Sequence, residues 1–329
     1  MRAIVQHGYG APAKVLELRN DVEQPQVADA AVLVRVRASS VNSGDWRRVL
    51  ADPFLVRLME GLRTPKTRLL GGDAAGVVEA VGKDVTDISV GDEVYGLRTG
   101  AYGEYVSGQS FVSKPHNLTF EEAAAVPVAG CTALQAVRDR GNVRPGHKVL
   151  INGAGGGVGS FAVQIAKAFG AEVTATTSTG NVDLLRSIGA DHVIDYTHDD
   201  FTQMGQRYDV IVDCGGTPSI AAFRRALAAD GKLVLVAAGK GAFGALGRFC
   251  GSQVRRRVLK QPIVTFLASG PYKENLLTLK ELIEAGKVKP VIDRTHPLSE
   301  IADAVLYAAT ERARGKVVIS VSGAGEPAE

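Results

Sequence analysis

The 329-residue chain is 45% hydrophobic and 22% charged with a formal net charge of +3, an ordinary balance for an α/β protein long enough for two domains. So small a charge gives no reason to expect nucleic acid as a partner, and no apolar run reaches the roughly 18 residues that cross a bilayer. Cys131, Cys214 and Cys250 are scattered and odd in number, which excludes a disulfide framework.

The start, MRAIVQHGYG, alternates apolar and polar residues as a strand does. It lacks the basic region, apolar stretch and cleavage site of a secretory signal, so a cytoplasmic protein is expected. Residues 1 to about 120 read as β structure with turns. Residues 31–38 (AVLVRVRA) alternate with the period of a half-buried strand, and 71–82 (GGDAAGVVEAVG) form a short strand bracketed by glycines. Residues 89–95 are a turn, marked by Gly91-Asp92, followed by a strand.

Beyond about residue 122, strands and helices alternate. Lys148–Asn152, Glu172–Thr177, His192–Asp195, 209–213 and 232–238 read as strands. A helix after the first strand, Val182–Ser187 and residues 221–227 read as helices between them. That alternation means a parallel, doubly wound sheet, and strands apolar on both faces fit helices covering both sides. A long helix over 272–286 and a strand at 316–321 close the chain, and the strand is expected to return to the N-terminal β region. Residues 239–262 follow no periodicity, and their basic run, Arg255, Arg256, Arg257 and Lys260, reads as a solvated helix face or an oligomer edge.

The strongest local signal is residues 148–170, KVLINGAGGGVGSFAVQIAKAFG, where a buried strand runs into glycines and then into a helix. Glycines there allow a tight turn and close approach to a pyrophosphate, while the helix N-terminus offers free N–H groups and a positive dipole end. The strict G-x-G-x-x-G is absent: Ala154 stands in its first position, and the glycines fall at Gly153, Gly156 and Gly159. The alternative to a phosphate cradle is a glycine turn without a ligand. Roughly 20 residues on, a site for NAD places an acid at the end of the second strand to hold the ribose 2′-hydroxyl. Here that strand ends in Thr177-Ser178-Thr179-Gly180-Asn181, and the next carboxylate is Asp183. Small hydroxyls and an amide suit a phosphate on that ribose, so NADPH is the expected cofactor. Arg186, one helical turn on, either adds charge or is an exposed helix residue.

In order and spacing these segments resemble the medium-chain dehydrogenase/reductase superfamily, over nearly the whole chain. Residues 71–82 resemble its G-x-D-x-A-G-x-V-x-x-V-G segment and 152–159 its quinone-reductase-type phosphate loop. Residues 182–196 (VDLLRSIGADHVIDY) resemble the unit after its adenosine site, and 296–321 its closing helix and strand. The resemblance implies an α/β fold with a Rossmann-type doubly wound parallel sheet in an NADPH-binding domain over 123–265. It also implies a GroES-like, β-rich substrate domain made of 1–122 and 266–329. Carried over by position, Gly153, Gly156, Gly157, Val158 and Gly159 hold the pyrophosphate, and Ser178 and Asn181 face the 2′-phosphate. Tyr196 packs near the adenine, or is a core tyrosine at a strand end. Thr132 falls where the nicotinamide-side helix begins and Lys316 in the returning strand, so both are expected at the cofactor.

Many members hold a catalytic zinc, which takes three ligands from Cys, His, Asp or Glu and keeps an open position. Here the first ligand's position is Asn42, the His-Glu pair falls at Gly72-Asp73, and the later Cys falls at Val128, with Cys131 read as buried. The histidines at 7, 116, 147, 192, 198 and 296 form no ligand spacing, so no metal is expected. Without one, alcohol oxidation is disfavoured. The implied activity is a zinc-independent, NADPH-dependent oxidoreductase that reduces a small electrophilic acceptor, a quinone or an α,β-unsaturated carbonyl. Asn42 and Tyr102 are the residues expected to orient the acceptor. Asn42, which with Asp45 resembles the N-x-x-D of zinc-free relatives, either hydrogen-bonds a carbonyl or the nicotinamide ribose, or forms a turn. Tyr102 is a phenol donor or a structural residue, and Trp46 and Phe54 are an apolar wall or core. Two other functions stay open: an enoyl-thioester reductase with residues 255–260 on a carrier phosphate, and a redox-sensing module that holds NADPH without turnover. Neither membrane nor nucleic acid is expected as a partner, and the resemblance implies a homodimer or a monomer.

Overall fold

Alternating and continuous apolar runs give this chain two kinds of sheet. The computed structural model describes residues 1–52, 54, 56–236, 263–265, 269–310 and 312–321, so the basic run at 255–260 lies outside the described residues. The chain opens with β1 (Ala3–Gln6), α1 (Pro12–Val15), β2 (Leu16–Arg19), β3 (Val32–Val41), α2 (Ser43–Leu50) and α3 (Val56–Glu60). Next come β4 (Asp73–Val81), β5 (Glu93–Leu97), β6 (Tyr105–Gly108), β7 (Phe111–Ser113), α4 (Phe120–Ala124) and α5 (Pro127–Leu134). Then follow β8 (Lys148–Asn152), α6 (Gly157–Ala168), β9 (Glu172–Thr177), α7 (Val182–Ser187), β10 (His192–Asp195) and β11 (Tyr208–Asp213). The rest is α8 (Ile220–Ala226), β12 (Leu227–Leu235), β13 (Ile263–Thr265), α9 (Tyr272–Glu284), β14 (Ile292–Pro297), α10 (Ile301–Ala309) and β15 (Lys316–Ser320). They form two compact units. One holds Met1–Val128, Gly270–Glu284 and the chain from Pro290 onward; the other holds Ala129–Ser269 and Ala285–Lys289.

In the first unit, a sheet runs β14-β15-β3-β4-β5-β7, with β6 on β3 and β1 paired to β2. β3 shows the expected alternation from Val34 to Ala38, with Val34, Val36 and Ala38 buried and Arg35 and Arg37 half-buried, whereas before it Val32 and Leu33 are both buried. The strand continues past Ala38 because Ser39 and Ser40, both fully buried, bond to Asp73 on β4: Ser39 Oγ donates to the Asp73 carbonyl at 2.6 Å. β15 returns antiparallel to β3, with Val317 opposite Val41.

The all-β reading of residues 1–120 is corrected by α2. Its start is fixed by Asn42, whose N–H donates to Asp45 Oδ2 at 2.8 Å, the return half of a capping box. Trp46 and Val49 bury the inner face of α2 in the core, and the helix ends at Ala51 in the left-handed region, φ 52°. Trp46 is therefore core, whereas Phe54 is 61% exposed with the Arg57 guanidinium over its ring.

In the second unit, six strands in the order β10-β9-β8-β11-β12-β13 all pair parallel. Val149, Leu150 and Ile151 of β8 are buried on both faces, as a helix-covered parallel strand requires. The order reverses between β8 and β11, whose C-terminal ends therefore border the point where such sheets bind ligands. β12 begins earlier than its sequence suggests: the backbone turns extended at Leu227 (φ −82°, ψ 142°), where the apolar pattern reads as continuing helix. The fold is α/β, as expected, and among the described residues no helix is long and apolar enough to cross a membrane.

Candidate functional site

The glycine turn of the second unit is held from both sides by a buried polar relay. Gly153 follows β8 at φ +74°, a conformation that glycine adopts without strain. Its N–H donates to Thr176 Oγ1 at 3.2 Å, and Ala154 N–H donates to the Thr176 carbonyl at 3.0 Å. Thr176 Oγ1 donates to Asn152 Oδ1 and Asn152 Nδ2 to Asp213 Oδ1, each at 2.7 Å. The same Asp213 oxygen accepts from the N–H groups of Gly216 (2.9 Å) and Gly215 (3.2 Å). The ends of β9, β8 and β11 are thereby tied together around the switch point. Sequence reading missed Asp213, Asn152 and Thr176, because a polar residue at a strand end is informative only once its neighbours are known.

α6 starts after Gly156, which is extended (φ −87°, ψ 178°) and caps the helix with no side chain, leaving first-turn N–H groups for an anion. A Cβ on Gly159 would lie 2.3 Å from the Gly153 carbonyl oxygen, so this glycine lets the helix pack on the turn. A Cβ on Gly156 would meet only that same oxygen, at 3.9 Å: this side of the turn is open. Gly157 and Val158 are half-buried on the first helical turn.

Half-buried Ser178 follows β9, and Asn181 leans on the glycine turn, its Nδ2 lying 2.7 Å from where a Gly155 Cβ would be. Asn181 Oδ1 is enclosed without a hydrogen-bond partner. A glycine cradle, an open helix N-terminus and an enclosed orphan acceptor beside them fit a dinucleotide. Arg186 is exposed and pairs with Asp183 at 3.3 Å. Tyr196 lies just past β10 with its N–H on the Thr177 carbonyl and its ring 59% exposed, while Thr132 is buried on α5. Sequence reading also missed Asp195, which ends β10 opposite Thr177. Its Oδ1 accepts from Thr197 N–H (2.9 Å) and Oγ1 (2.7 Å), and hydrogen bonds from the Thr179 and Thr197 hydroxyls hold its carboxyl below the usual range. The sequence pattern of an NAD site places its acid at the end of β9, whereas Asp195 stands beside that end on the neighbouring strand.

The first unit gathers Asn42 and Lys316 on Asp73, and joins Tyr102 to Asn42 through Asp45. Lys316 Nζ, on β15, donates to Asn42 Oδ1 (2.5 Å), to the Val41 carbonyl (3.2 Å) and to Asp73 Oδ2 (3.3 Å). An ammonium has three donors, and these contacts occupy them all. Both side chains of the Lys316–Asp73 pair are buried. Asp73 Oδ2 also accepts from Ser40 Oγ (2.6 Å) and Asn42 Nδ2 (2.8 Å), and Oδ1 accepts from Val128 N–H (2.8 Å). The Asn42 amide is thus gripped at both ends. Tyr102 is in the core, its hydroxyl donating to Asp45 Oδ2 at 3.0 Å. A Cβ on Gly72 would lie 3.5 Å from Val128 Cγ2 and 3.9 Å from Asn42 Nδ2, so positions 42, 72 and 128 converge, carrying an amide, no side chain and an isopropyl group. Among the described residues, no group of three His, Cys, Asp or Glu side chains is placed to hold a metal.

Burial pushes the Asp45 carboxyl up to about 6, reinforced by the Asp73 charge and opposed by hydrogen bonds from Asn42 N–H and Tyr102. Burial and the Asp45 charge push the Tyr102 hydroxyl well above its usual range. Between the ordinary carboxyl value and about 6, the folded protein holds this proton more tightly than the unfolded chain. Stability from Asp45 is therefore full below that window and lost as pH rises through it. Urea unfolding of Asp45→Asn should show a flatter profile between pH 4 and 6.5, differing from the unmodified protein by roughly 1–3 kcal/mol across the window. Parallel profiles would show that Asp45 titrates normally.

Residues 28–136 match the family model described as an alcohol dehydrogenase GroES-like domain, and residues 188–319 match that described as a zinc-binding dehydrogenase. A 2-methylene-furan-3-one reductase from Solanum lycopersicum is 35% identical over 97% of this chain and 79% of its own. The chloroplastic NADPH-dependent alkenal/one oxidoreductase of Arabidopsis thaliana is 34% identical over 97% of this chain and 79% of its own. The solved structure of the quinone oxidoreductase from Coxiella burnetii superposes with a TM-score of 0.83 at 31% identity, covering 98% of this chain and 99% of that one.

Proposed function

The chain belongs to the medium-chain dehydrogenase/reductase superfamily, in its quinone oxidoreductase-like branch, and on that premise we propose that it reduces quinones or α,β-unsaturated carbonyls with NADPH and without a bound metal. The observation that carries this reading is the grip of Lys316 and Asp73 on Asn42, beside Gly72 and Val128. Where a zinc enzyme needs three ligands, these positions offer one amide, already bonded, and nothing that coordinates a metal.

Gly153, Gly156, Gly157, Val158 and Gly159 hold the pyrophosphate, Ser178 and Asn181 the adenosine ribose, and Tyr196 and Thr132 lie toward the two ends. A bound reduced nicotinamide supplies the hydride, which a conjugated acceptor takes up into its own π-system. Asn42 orients the acceptor's carbonyl. The ammonium of Lys316 on Oδ1 polarises the amide and strengthens Nδ2 as a donor. Lys316 acts here as a positioning residue. Tyr102 acts through Asp45, and because its hydroxyl points at that carboxyl, water is the proton source. Consumption of NADPH with a quinone, an alkenal or an enone tests the reading. NADPH binding without turnover of any of the three would favour a binding module.

Ser178 supports the preference for NADPH, since a hydroxyl there repels no phosphate. Ser178→Asp should weaken NADPH by about 1–3 kcal/mol and NADH less, as measured by titration of each. Two observations favour use of NADH as well: the orphan Asn181 Oδ1, an acceptor suited to a ribose hydroxyl, and the ionised Asp195 beside Thr177. Equal affinity of the unmodified protein for the two nucleotides would support that second reading.

A further inference from the structure

We propose that Gly72 and Val128 complete the acceptor subsite beside Asn42, and that the missing side chain at 72 selects flat conjugated carbonyls unbranched next to the carbonyl carbon. The proposal rests on the reading of this protein as a quinone or enone reductase.

Two reasons usually account for a glycine, and neither applies at 72. The residue is not among the positive-φ glycines, so its backbone suits any side chain. A Cβ there would make only ordinary contacts, 3.5 Å to Val128 Cγ2 and 3.9 Å to Asn42 Nδ2, so packing does not require its absence either. What Gly72 supplies is room. It is half-buried and its backbone is pinned, the carbonyl accepting from Arg98 N–H at 2.9 Å.

The borders of that room suit a conjugated carbonyl. On one side stands Asn42 Nδ2, with one N–H on Asp73 at 2.8 Å and only a marginal contact to the Ser40 carbonyl at 3.5 Å for the other. That second N–H is the donor for an acceptor's oxygen. On the other side is the Val128 isopropyl group, against which apolar carbons pack. Both walls are set by one carboxylate, since Val128 N–H bonds to Asp73 Oδ1 and Asn42 Nδ2 to Asp73 Oδ2. The space over the bare backbone takes one carbon, since a Cβ there would lie 3.5 Å from Val128 Cγ2 and 3.9 Å from Asn42 Nδ2, so a planar sp² carbon fits and a branched tetrahedral carbon meets the Val128 isopropyl group.

The test uses the NADPH-loaded full chain, unmodified and as Gly72→Ala, Gly72→Val and Val128→Ala, with methyl vinyl ketone and tert-butyl vinyl ketone as acceptors. The unmodified protein should favour the methyl ketone by about tenfold or more in kcat/KM. Gly72→Val should raise KM for both acceptors by about tenfold or more, with NADPH affinity and melting temperature unchanged. Gly72→Ala, whose methyl fits at ordinary contact distance, should act in the same direction more weakly and keeps the test valid where valine unfolds the chain. Val128→Ala should narrow the gap between the two ketones. Folded Gly72 variants with unchanged kcat/KM for both ketones overturn the proposal alone. An unmodified protein that reduces neither these nor any quinone overturns the functional reading beneath it.

Discussion

Gly156→Val is expected to weaken nicotinamide-nucleotide binding by roughly 100-fold or more while the protein stays folded. The two halves of that expectation have separate causes. Gly156 already sits in extended backbone, φ −87° and ψ 178°, which a β-branched residue favours, and a Cβ there meets nothing closer than 3.9 Å. Folding therefore costs little. The isopropyl group would stand on the open side of the turn, in front of the N–H groups that begin α6, where a pyrophosphate must approach closely. Gly159 gives the contrast: its Cβ would lie 2.3 Å from a backbone oxygen, so Gly159→Ala should damage the fold itself. Nucleotide titration together with circular dichroism separates the two. A folded Gly156→Val protein with unchanged affinity would show that the glycine turn does not hold the pyrophosphate.

Lys316→Met is expected to lower stability by about 3–5 kcal/mol, because it leaves the Asp73 carboxylate buried without its counter-charge. Methionine keeps most of the side-chain stem, so the loss reports the charge more than the volume. Ser40, Asn42 and Val128 still donate to Asp73, which limits the damage. The double variant Lys316→Met/Asp73→Asn removes both charges and should recover part of the loss, a coupling that urea denaturation of the singles and the double measures directly. Strictly additive losses would mean that the two side chains do not act as a pair.

The parallel sheet was legible because its strands are short, continuous apolar runs between turn residues. The bounds read for Lys148–Asn152, Glu172–Thr177 and His192–Asp195 are those observed. α2 was harder. Residues 43–50 (SGDWRRVL) begin with Ser-Gly and are too few for periodicity to speak, so the only signal was the Asn42–Asp45 spacing, read as chemistry and not also as a helix start. At Leu227 the failure had another cause: an apolar residue suits either the end of α8 or the start of β12, and the strand ladder decides. In the first-unit cluster, Asn42, Tyr102 and Lys316 could each be singled out from sequence as site residues, whereas Asp73 was legible only as a lost metal-ligand position and not as the hub that joins Asn42 and Lys316. Its partners come from positions 40, 42, 128 and 316, and only the fold brings those together. Lys316 shows the same limit, since a lysine in a closing strand gives no hint that its ammonium grips an asparagine on the far side of the sequence.

Metal-independent reduction of a conjugated acceptor is tested most directly by one comparison on protein treated exhaustively with a chelator. NADPH-dependent reduction of an enone is measured beside NADP⁺-dependent oxidation of a secondary alcohol. Enone reduction should survive the chelator at its full rate, and alcohol oxidation should be slower by about 10³-fold or more, since no metal lowers the alcohol's pKa. Loss of enone reduction that added zinc restores, or brisk alcohol oxidation by the treated protein, would contradict it.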